Sequence, residues 1–359
     1  MTARRFLGVV RLMPNESLLP SMEPCISGDR VVIEDRATAS TLINKGSYGE
    51  PQKGGGLQLS LVEAAYLMEE GRITVRRSKK GRSASLSELI IRGIDRDPGF
   101  LGNLMVYRDL RNRAMVVKGQ GYGTWTVFPR GKRPATGKAD TWVRVYREHD
   151  MVTARELWLE ARSRQNMRLK SLASVVDSDW DVTHYLVSPA LEEAERSEMA
   201  PVRREELSVA RMPVEGGGAF ISGENAIGIG EKYSLGTKLS GSLLLSPEED
   251  RMLFAGEADK DRAFVFEDLR ARGCLVKTGF KYGSHFRVYP GMSIDEHSLF
   301  LVHCITGDEP MTWEELSRPI RLSHSVRKRF LFAMPAKGIG APHHEGDGPL
   351  YLELKWTRP

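Results

Sequence analysis

Alternating apolar and polar positions mark short strands in the second half of the chain, in Phe286-Arg-Val288-Tyr289 and Leu299-Phe-Leu301-Val-His303-Cys. Between such runs lie segments with helical spacing, which predict helices beginning near Val106 and near Ala263 and a third carrying Arg327 and Lys328. Two helix starts are punctuated. Ser60 and Ser246 each stand three residues before a glutamate, Glu63 and Glu249, the spacing in which serine and glutamate satisfy the free N–H groups of a first helical turn. Pro247 suits that turn, because its missing N–H would have no partner there. Strands interleaved with helices predict a layered α/β (α+β) architecture. It puts Tyr289 at a strand end, His297 at the start of the next strand and Lys328 on a helix.

The pattern occurs twice. Val106-Tyr-Arg-Asp109-Leu110-Arg111 returns as Val265-Phe-Glu-Asp268-Leu269-Arg270, and each copy runs through a Val-Lys pair into a glycine-containing turn. Thr126-Val-Phe128-Pro129 then matches Arg287-Val-Tyr289-Pro290, Glu156-Leu157 matches Glu315-Leu316, and Met167-Arg168-Leu169 matches Val326-Arg327-Lys328. The expected division is an N-terminal module of repeat 1 (1–103), its second domain (104–190), a charged linker (191–212), the N-terminal module of repeat 2 (213–262) and its second domain (263–359).

Composition narrows the picture only slightly. Lys and Arg number 52 against 47 Asp and Glu, a net +5 that mildly favours a polyanionic partner. The basic run Arg76-Arg77-Ser-Lys79-Lys80-Gly-Arg82 reads as a solvated loop. Cys25, Cys274 and Cys304 lack metal-ligand spacing and make an odd count, which argues for a reducing compartment, the cytoplasm. No apolar run is long enough to predict a membrane span.

Tyr289, His297 and Lys328 fall in order within one stretch of the second half, and together they are the residue set that metal-free RNA cleavage needs. RNA carries its own nucleophile, the 2′-hydroxyl, so cleavage requires a base, an acid and positive charge at phosphorus. Histidine titrates near neutrality, and a neighbouring ammonium favours the ionised form of a tyrosine. Tyr289 as base, His297 as acid and Lys328 as electrostatic clamp is the favoured assignment; sequence fixes the set, not the proton directions. Repeat 1 lacks all three groups. Phe128 stands for Tyr289, Leu169 for Lys328, and no histidine lies between Phe128 and Glu148. Lys170, one place past Leu169, is set aside because one helical step would turn its side chain away.

The words Lys277-Thr-Gly-Phe-Lys-Tyr-Gly-Ser-His-Phe-Arg-Val-Tyr289, Asp-Glu-His297-Ser298 and Arg321-Leu-Ser-His-Ser-Val-Arg-Lys328 closely resemble the catalytic repeat of archaeal tRNA-splicing endonucleases, and the duplicated layout resembles their homodimeric form. The resemblance implies a restriction-endonuclease-like mixed sheet flanked by helices in each repeat and a catalytic triad of Tyr289, His297 and Lys328. It implies no cofactor, metal or nucleotide, and a precursor tRNA substrate with bulge–helix–bulge introns, cut to 2′,3′-cyclic phosphate and 5′-hydroxyl ends. Arg321 resembles a family arginine that clasps a flipped-out base. Asp177-Ser-Asp179-Trp-Asp181 resembles the acidic loop that docks on the partner subunit, and the last strand, Leu350-Tyr-Leu-Glu-Leu-Lys355-Trp356, is expected to pair across subunits.

Two rival readings remain. Glu353 and Lys355 imitate the Glu-x-Lys end of metal-dependent nucleases, and a non-catalytic RNA-binding subunit would carry the trio without using it. Gly131-Lys-Arg-Pro-Ala-Thr-Gly137-Lys138-Ala139 imitates a phosphate loop but has one residue too many between its glycines and alanine at the magnesium position, so it reads as a turn. Adjacent histidines, His343 and His344, point apart in extended chain and make a poor metal site.

Overall fold

A computed structural model describes residues 23–121, 123–191, 209–254, 256, 259–291, 297–336 and 348–359. His343, His344 and most of the charged linker lie outside them. The chain divides into two compact units, Met1–Leu104 and Met105–Pro359. Among the described residues no helix is long and apolar enough to cross a membrane.

The first unit holds strands β1 (Cys25–Ser27), β2 (Arg30–Ile33), β3 (Glu50–Pro51), β4 (Leu57–Ser60), β5 (Val75–Arg76) and β6 (Ser83–Ala84), in the order β3-β4-β2-β1-β5-β6, with helices α1 (Arg36–Gly46), α2 (Leu61–Glu69) and α3 (Leu86–Arg96). The expected cap opens α2: Ser60 Oγ accepts from the Glu63 N–H at 3.1 Å and the Glu63 carboxylate accepts from the Ser60 N–H at 3.0 Å. The basic run is the β5–β6 hairpin. Arg77 pairs with Glu88 and Lys79 with Glu34, so part of its charge is neutralised within the chain.

Helix α4 (Phe100–Asn112) runs across the division. Then come β7 (Val116–Gly121), β8 (Thr124–Phe128), β9 (Thr141–Arg147), β10 (Met151–Val152), α5 (Ala154–Asn166), β11 (Lys170–Val176) and β12 (Val182–Ala190). A four-stranded sheet follows, β13 (Ala210–Pro213), β14 (Ala219–Ser222), β15 (Thr237–Leu239) and β16 (Ser242–Leu245) in the order β13-β14-β16-β15, with α6 (Ala226–Tyr233) and α7 (Pro247–Phe254). Ser246 and Glu249 cap α7 as Ser60 and Glu63 cap α2. The repeat closes with α8 (Lys260–Ala271), β17 (Leu275–Thr278), β18 (Phe286–Tyr289), β19 (Phe300–Cys304), β20 (Met311–Thr312), α9 (Trp313–Ser325), β21 (Arg329–Met334) and β22 (Leu350–Thr357).

The two repeats share one sheet of ten strands, in the order β17-β18-β19-β21-β22-β12-β11-β9-β8-β7. Strand β22 pairs antiparallel with β21 on one side and with β12 on the other, Val187 facing Leu354. This corrects the expectation that the last strand pairs across subunits: both of its hydrogen-bonding edges are used within the chain. On one face of the sheet, Trp313 of repeat 2 is fully buried against Tyr146 and Tyr185 of repeat 1, with ring centroids 5.0 and 5.7 Å apart. That core, which also holds Leu157, Leu316, Phe330 and Leu354, belongs to both repeats at once. A second cluster, including Val265, Phe266, Leu269 and Val288, packs α8 on the sheet with the four-stranded module.

Candidate active site

Three neighbouring strands of repeat 2 end together. Strand β18 pairs antiparallel with β19, Val288 opposite Phe300, and β19 pairs parallel with β21, Phe300 opposite Arg329. The ladder runs one step further: the Leu299 N–H donates to Val288 O at 2.9 Å and the Arg329 N–H to Leu299 O at 3.1 Å. Tyr289 at the end of β18, Ser298 just before Leu299, and Lys328 just before Arg329 therefore emerge at one end of three adjacent strands. With about 4.8 Å between strands, their backbones lie side by side there.

Lys328 is the best-defined member. Its half-buried ammonium donates to Ser298 O at 2.8 Å and to Ser298 Oγ at 2.5 Å, and lies 5.8 Å from the Tyr282 ring centroid. This ties Lys328 to the residue next to His297, which is itself exposed. Tyr289 is 7% exposed, and the Arg287 guanidinium lies 5.3 Å from its ring centroid. Residues 292–296, between Tyr289 and His297, lie outside the described part.

Lys328 is not on a helix, contrary to the sequence expectation. Helix α9 stops at Ser325, Arg327 takes a left-handed conformation with φ of 55°, and the Lys328 N–H turns back to Ser323 O at 3.0 Å. The left-handed residue redirects the chain from helix to strand and sets Lys328 at the strand entrance. Arg321 stands exposed on α9.

Repeat 1 shows the same backbone with different chemistry. Phe128 ends β8 opposite Val116, as Tyr289 ends β18 opposite Leu275. Arg168 has φ of 59° and the Leu169 N–H turns back to Arg164 O at 2.9 Å, so Leu169 occupies the position of Lys328. Lys170 belongs to β11, not to a helix; its neighbour relation to Leu169 is that of a strand, where successive side chains take opposite faces. Its ammonium donates to Asp140 Oδ2 at 3.2 Å.

Asp177, Asp179 and Asp181 form the tight turn between β11 and β12, which in the sheet order are separated from β19 by β21 and β22. The trio and this acidic turn are thus apart in the chain. At the rival Glu-x-Lys site, the Glu353 carboxylate is 9% exposed and accepts from Arg329 Nε at 2.9 Å and Nη2 at 2.6 Å, while Lys355 is exposed. A carboxylate closed by a bidentate arginine has its oxygens engaged. Asp347 lies outside the described residues. The false phosphate loop is a pair of turns, with the Lys132 N–H donating to Pro129 O and the Gly137 N–H to Arg133 O.

Sequence reasoning passed over Ser298 and Tyr282, although both lie inside the quoted words, one beside His297 and the other in the Lys277–Tyr289 block. It also passed over a duplicated clamp. Asp109 pairs with Arg113 and with His184 of β12; at the matching place Asp268 pairs with Arg272 and accepts from Tyr351 Oη of β22 at 2.7 Å. The repeated Asp-Leu-Arg word was its only trace.

Two copies of one mixed α/β domain, joined edge to edge through β12 and β22, define a tandem-repeat protein. Residues 100–184 and 260–339 each match the model of the tRNA intron endonuclease catalytic C-terminal domain, and residues 22–90 match that of the tRNA intron endonuclease N-terminal domain. The chain is 32% identical over 337 residues to a tRNA-splicing endonuclease of Methanococcoides burtonii, covering 85% of this chain and 93% of that protein. A tRNA-splicing endonuclease of Methanosarcina acetivorans is 32% identical over 342 residues, 87% of this chain and 95% of that protein. One from Thermococcus kodakarensis is 37% identical over 164 residues, 45% of this chain but 94% of that protein, so nearly the whole of that shorter relative matches about half of this one. The chain belongs to the tRNA intron endonuclease family and is an enzyme.

Proposed function

We propose that this chain excises introns from precursor tRNA in the cytoplasm, cutting both splice sites of a bulge–helix–bulge by metal-independent transesterification. The observation that carries the reading is the convergence of Tyr289, the His297–Ser298 segment and Lys328 at one end of three adjacent strands, with the lysine held in place. Tyr289 takes the proton of the 2′-hydroxyl, O2′ attacks phosphorus, the bond to O5′ breaks, and His297 returns a proton to the leaving oxygen. Lys328 stabilises the charge that gathers on the phosphoryl oxygens. The products are a 2′,3′-cyclic phosphate and a 5′-hydroxyl. Residues 263–359 form the catalytic domain in this reading, and residues 104–190 its degenerate copy.

Arg321 contributes to recognition by stacking on an unpaired bulge base, a contact that reads shape more than sequence. Two sites are needed for two cuts, and a homodimer supplies them, with the Asp177–Asp181 turn of each protomer docking on the partner.

The test is cleavage of a bulge–helix–bulge precursor tRNA in excess EDTA, comparing the native protein with His297→Ala and mapping the product ends. Cyclic-phosphate ends at both bulges, lost in the variant, are expected. Cleavage only after magnesium is added would move the chemistry elsewhere.

A further inference from the structure

Outside the proposed trio, the described residues offer a stacked histidine pair, His285 and His303, at the opposite end of strands β18 and β19, and a buried Ser174–His184–Asp109 relay in repeat 1. The first has no ligand chemistry to name, and in the second the serine hydroxyl and the histidine ring are buried beyond a substrate's reach. The surroundings of Lys328 carry an argument further.

A lysine ammonium has three donors and a flexible stem, and at a surface it samples many rotamers. Around Lys328 that freedom is removed. Two of the three N–H donors are consumed by a single residue, Ser298, through its carbonyl and its hydroxyl, at 2.8 and 2.5 Å. The Tyr282 ring, 5.8 Å from the ammonium, offers an attractive face rather than a third acceptor. Ser298 is itself 7% exposed and fixed, since Leu299 beside it is bonded to both neighbouring strands. Among the described residues one donor is left unspent, in a setting that holds the charge without neutralising it: both acceptors there are uncharged, and Tyr282 is an aromatic ring, not a carboxylate.

We infer that Ser298 and Tyr282 are positioning residues for the cleavage reaction, forming an uncharged cradle that aims the remaining Lys328 N–H at a phosphoryl oxygen of the scissile group. The inference rests on the proposed role of Lys328 and adds to it the residues that make the lysine preorganised. Because Ser298 directly follows His297, one dipeptide carries the proposed acid and anchors the clamp. Displacement of the lysine by even a fraction of a bond length weakens an interaction made in the transition state more than one made with bound substrate, so the effect belongs in kcat rather than KM.

The test is a double-mutant cycle on purified full-length protein with bulge–helix–bulge precursor tRNA, using Ser298→Ala, Lys328→Ala and the pair, with thermal melting of each variant. Ser298→Ala should lower kcat by about tenfold with KM little changed. It should cost nothing further once Lys328 is already alanine, because a positioning residue has then nothing to position. Tyr282→Leu should lower kcat several-fold more than Tyr282→Phe, which keeps the ring. Undiminished kcat in Ser298→Ala, or equal losses for that change with and without Lys328, would overturn the inference while a greatly slowed but still measurable Lys328→Ala upheld the proposed chemistry. Full activity in Lys328→Ala would remove both.

Discussion

His184 bonds through both ring nitrogens. Nδ1 lies 2.8 Å from Ser174 Oγ and Nε2 lies 2.8 Å from Asp109 Oδ2, the spacing of a hydrolytic triad. Ser174 has no exposed surface and His184 only 2%, so no substrate reaches the hydroxyl and the relay is a fastener between α4, β11 and β12. Burial alone would raise the Asp109 pKa, but hydrogen bonds from His184 and Arg113 outweigh it and hold the carboxyl down at about 2. A carboxyl whose pKa is lower in the folded chain contributes stability that is complete above its unfolded value and is lost as pH falls through the folded one. Asp109→Asn should therefore lower the denaturant midpoint near pH 5, and the gap to the native protein should close by about pH 2. An equal gap at both pH values would show that the carboxylate charge is not what stabilises. At this same scale the proposed trio of Tyr289, His297 and Lys328 rests on the surrounding words, which are distinctive. The setting of Lys328 was not legible: helix ends are usually announced by glycine in the left-handed position, and here Arg327 and Arg168 take it. The sequence therefore read as helix running on through the lysine.

Elements with punctuation at their start were the most readable. Thr153 with Glu156 caps α5, and Thr312 with Glu315 caps α9, matching the repeated Glu-Leu pairs seen in the sequence. The acidic turn shows how local chemistry builds an outward-facing feature. Asp177 Oδ1 accepts from the N–H groups of Asp179 at 3.1 Å and Asp181 at 2.9 Å, and the Arg147 guanidinium lies 4.3 Å from the Trp180 ring centroid. Asp177 is thus spent on the turn itself, while Asp179 and Asp181 are exposed. Under the homodimer proposal the division of labour predicts that Asp179→Lys weakens self-association and cleavage together without lowering thermal stability, read by sedimentation velocity and the precursor assay. Unchanged association and activity would reduce this turn to a hairpin closure.

For the molecule as a whole, the pairing of β12 with β22 could not be read from the chain, because two strands more than a hundred and fifty residues apart leave no periodic trace of their contact. Either edge could have met another copy. Their union means that unit Met105–Pro359 has a core crossing the repeat boundary, with Leu354 at 1% exposure among residues of both repeats. Leu354→Ala should cost roughly 2–5 kcal/mol and shift the unfolding of both repeats together, as followed by calorimetry. A separate, unshifted transition for one repeat would contradict a shared core.

The register at the joint has a further meaning. Val152 and Met311 each precede the threonine that caps the matching helix, and they face each other across β10 and β20. Val187 and Leu354 each stand three residues beyond the side chain that fastens the matching aspartate, and they too are partners. Equivalent residues meeting one another is the geometry of two identical chains about a dyad. In such a pair every substitution is made twice, and a loss in one site is a loss in both. Once the pair is a single polypeptide the two copies inherit independently. On the proposed reading, the copy with Phe128 and Leu169 was then free to give up cleavage while keeping its fasteners, and so to persist as a scaffold for its twin.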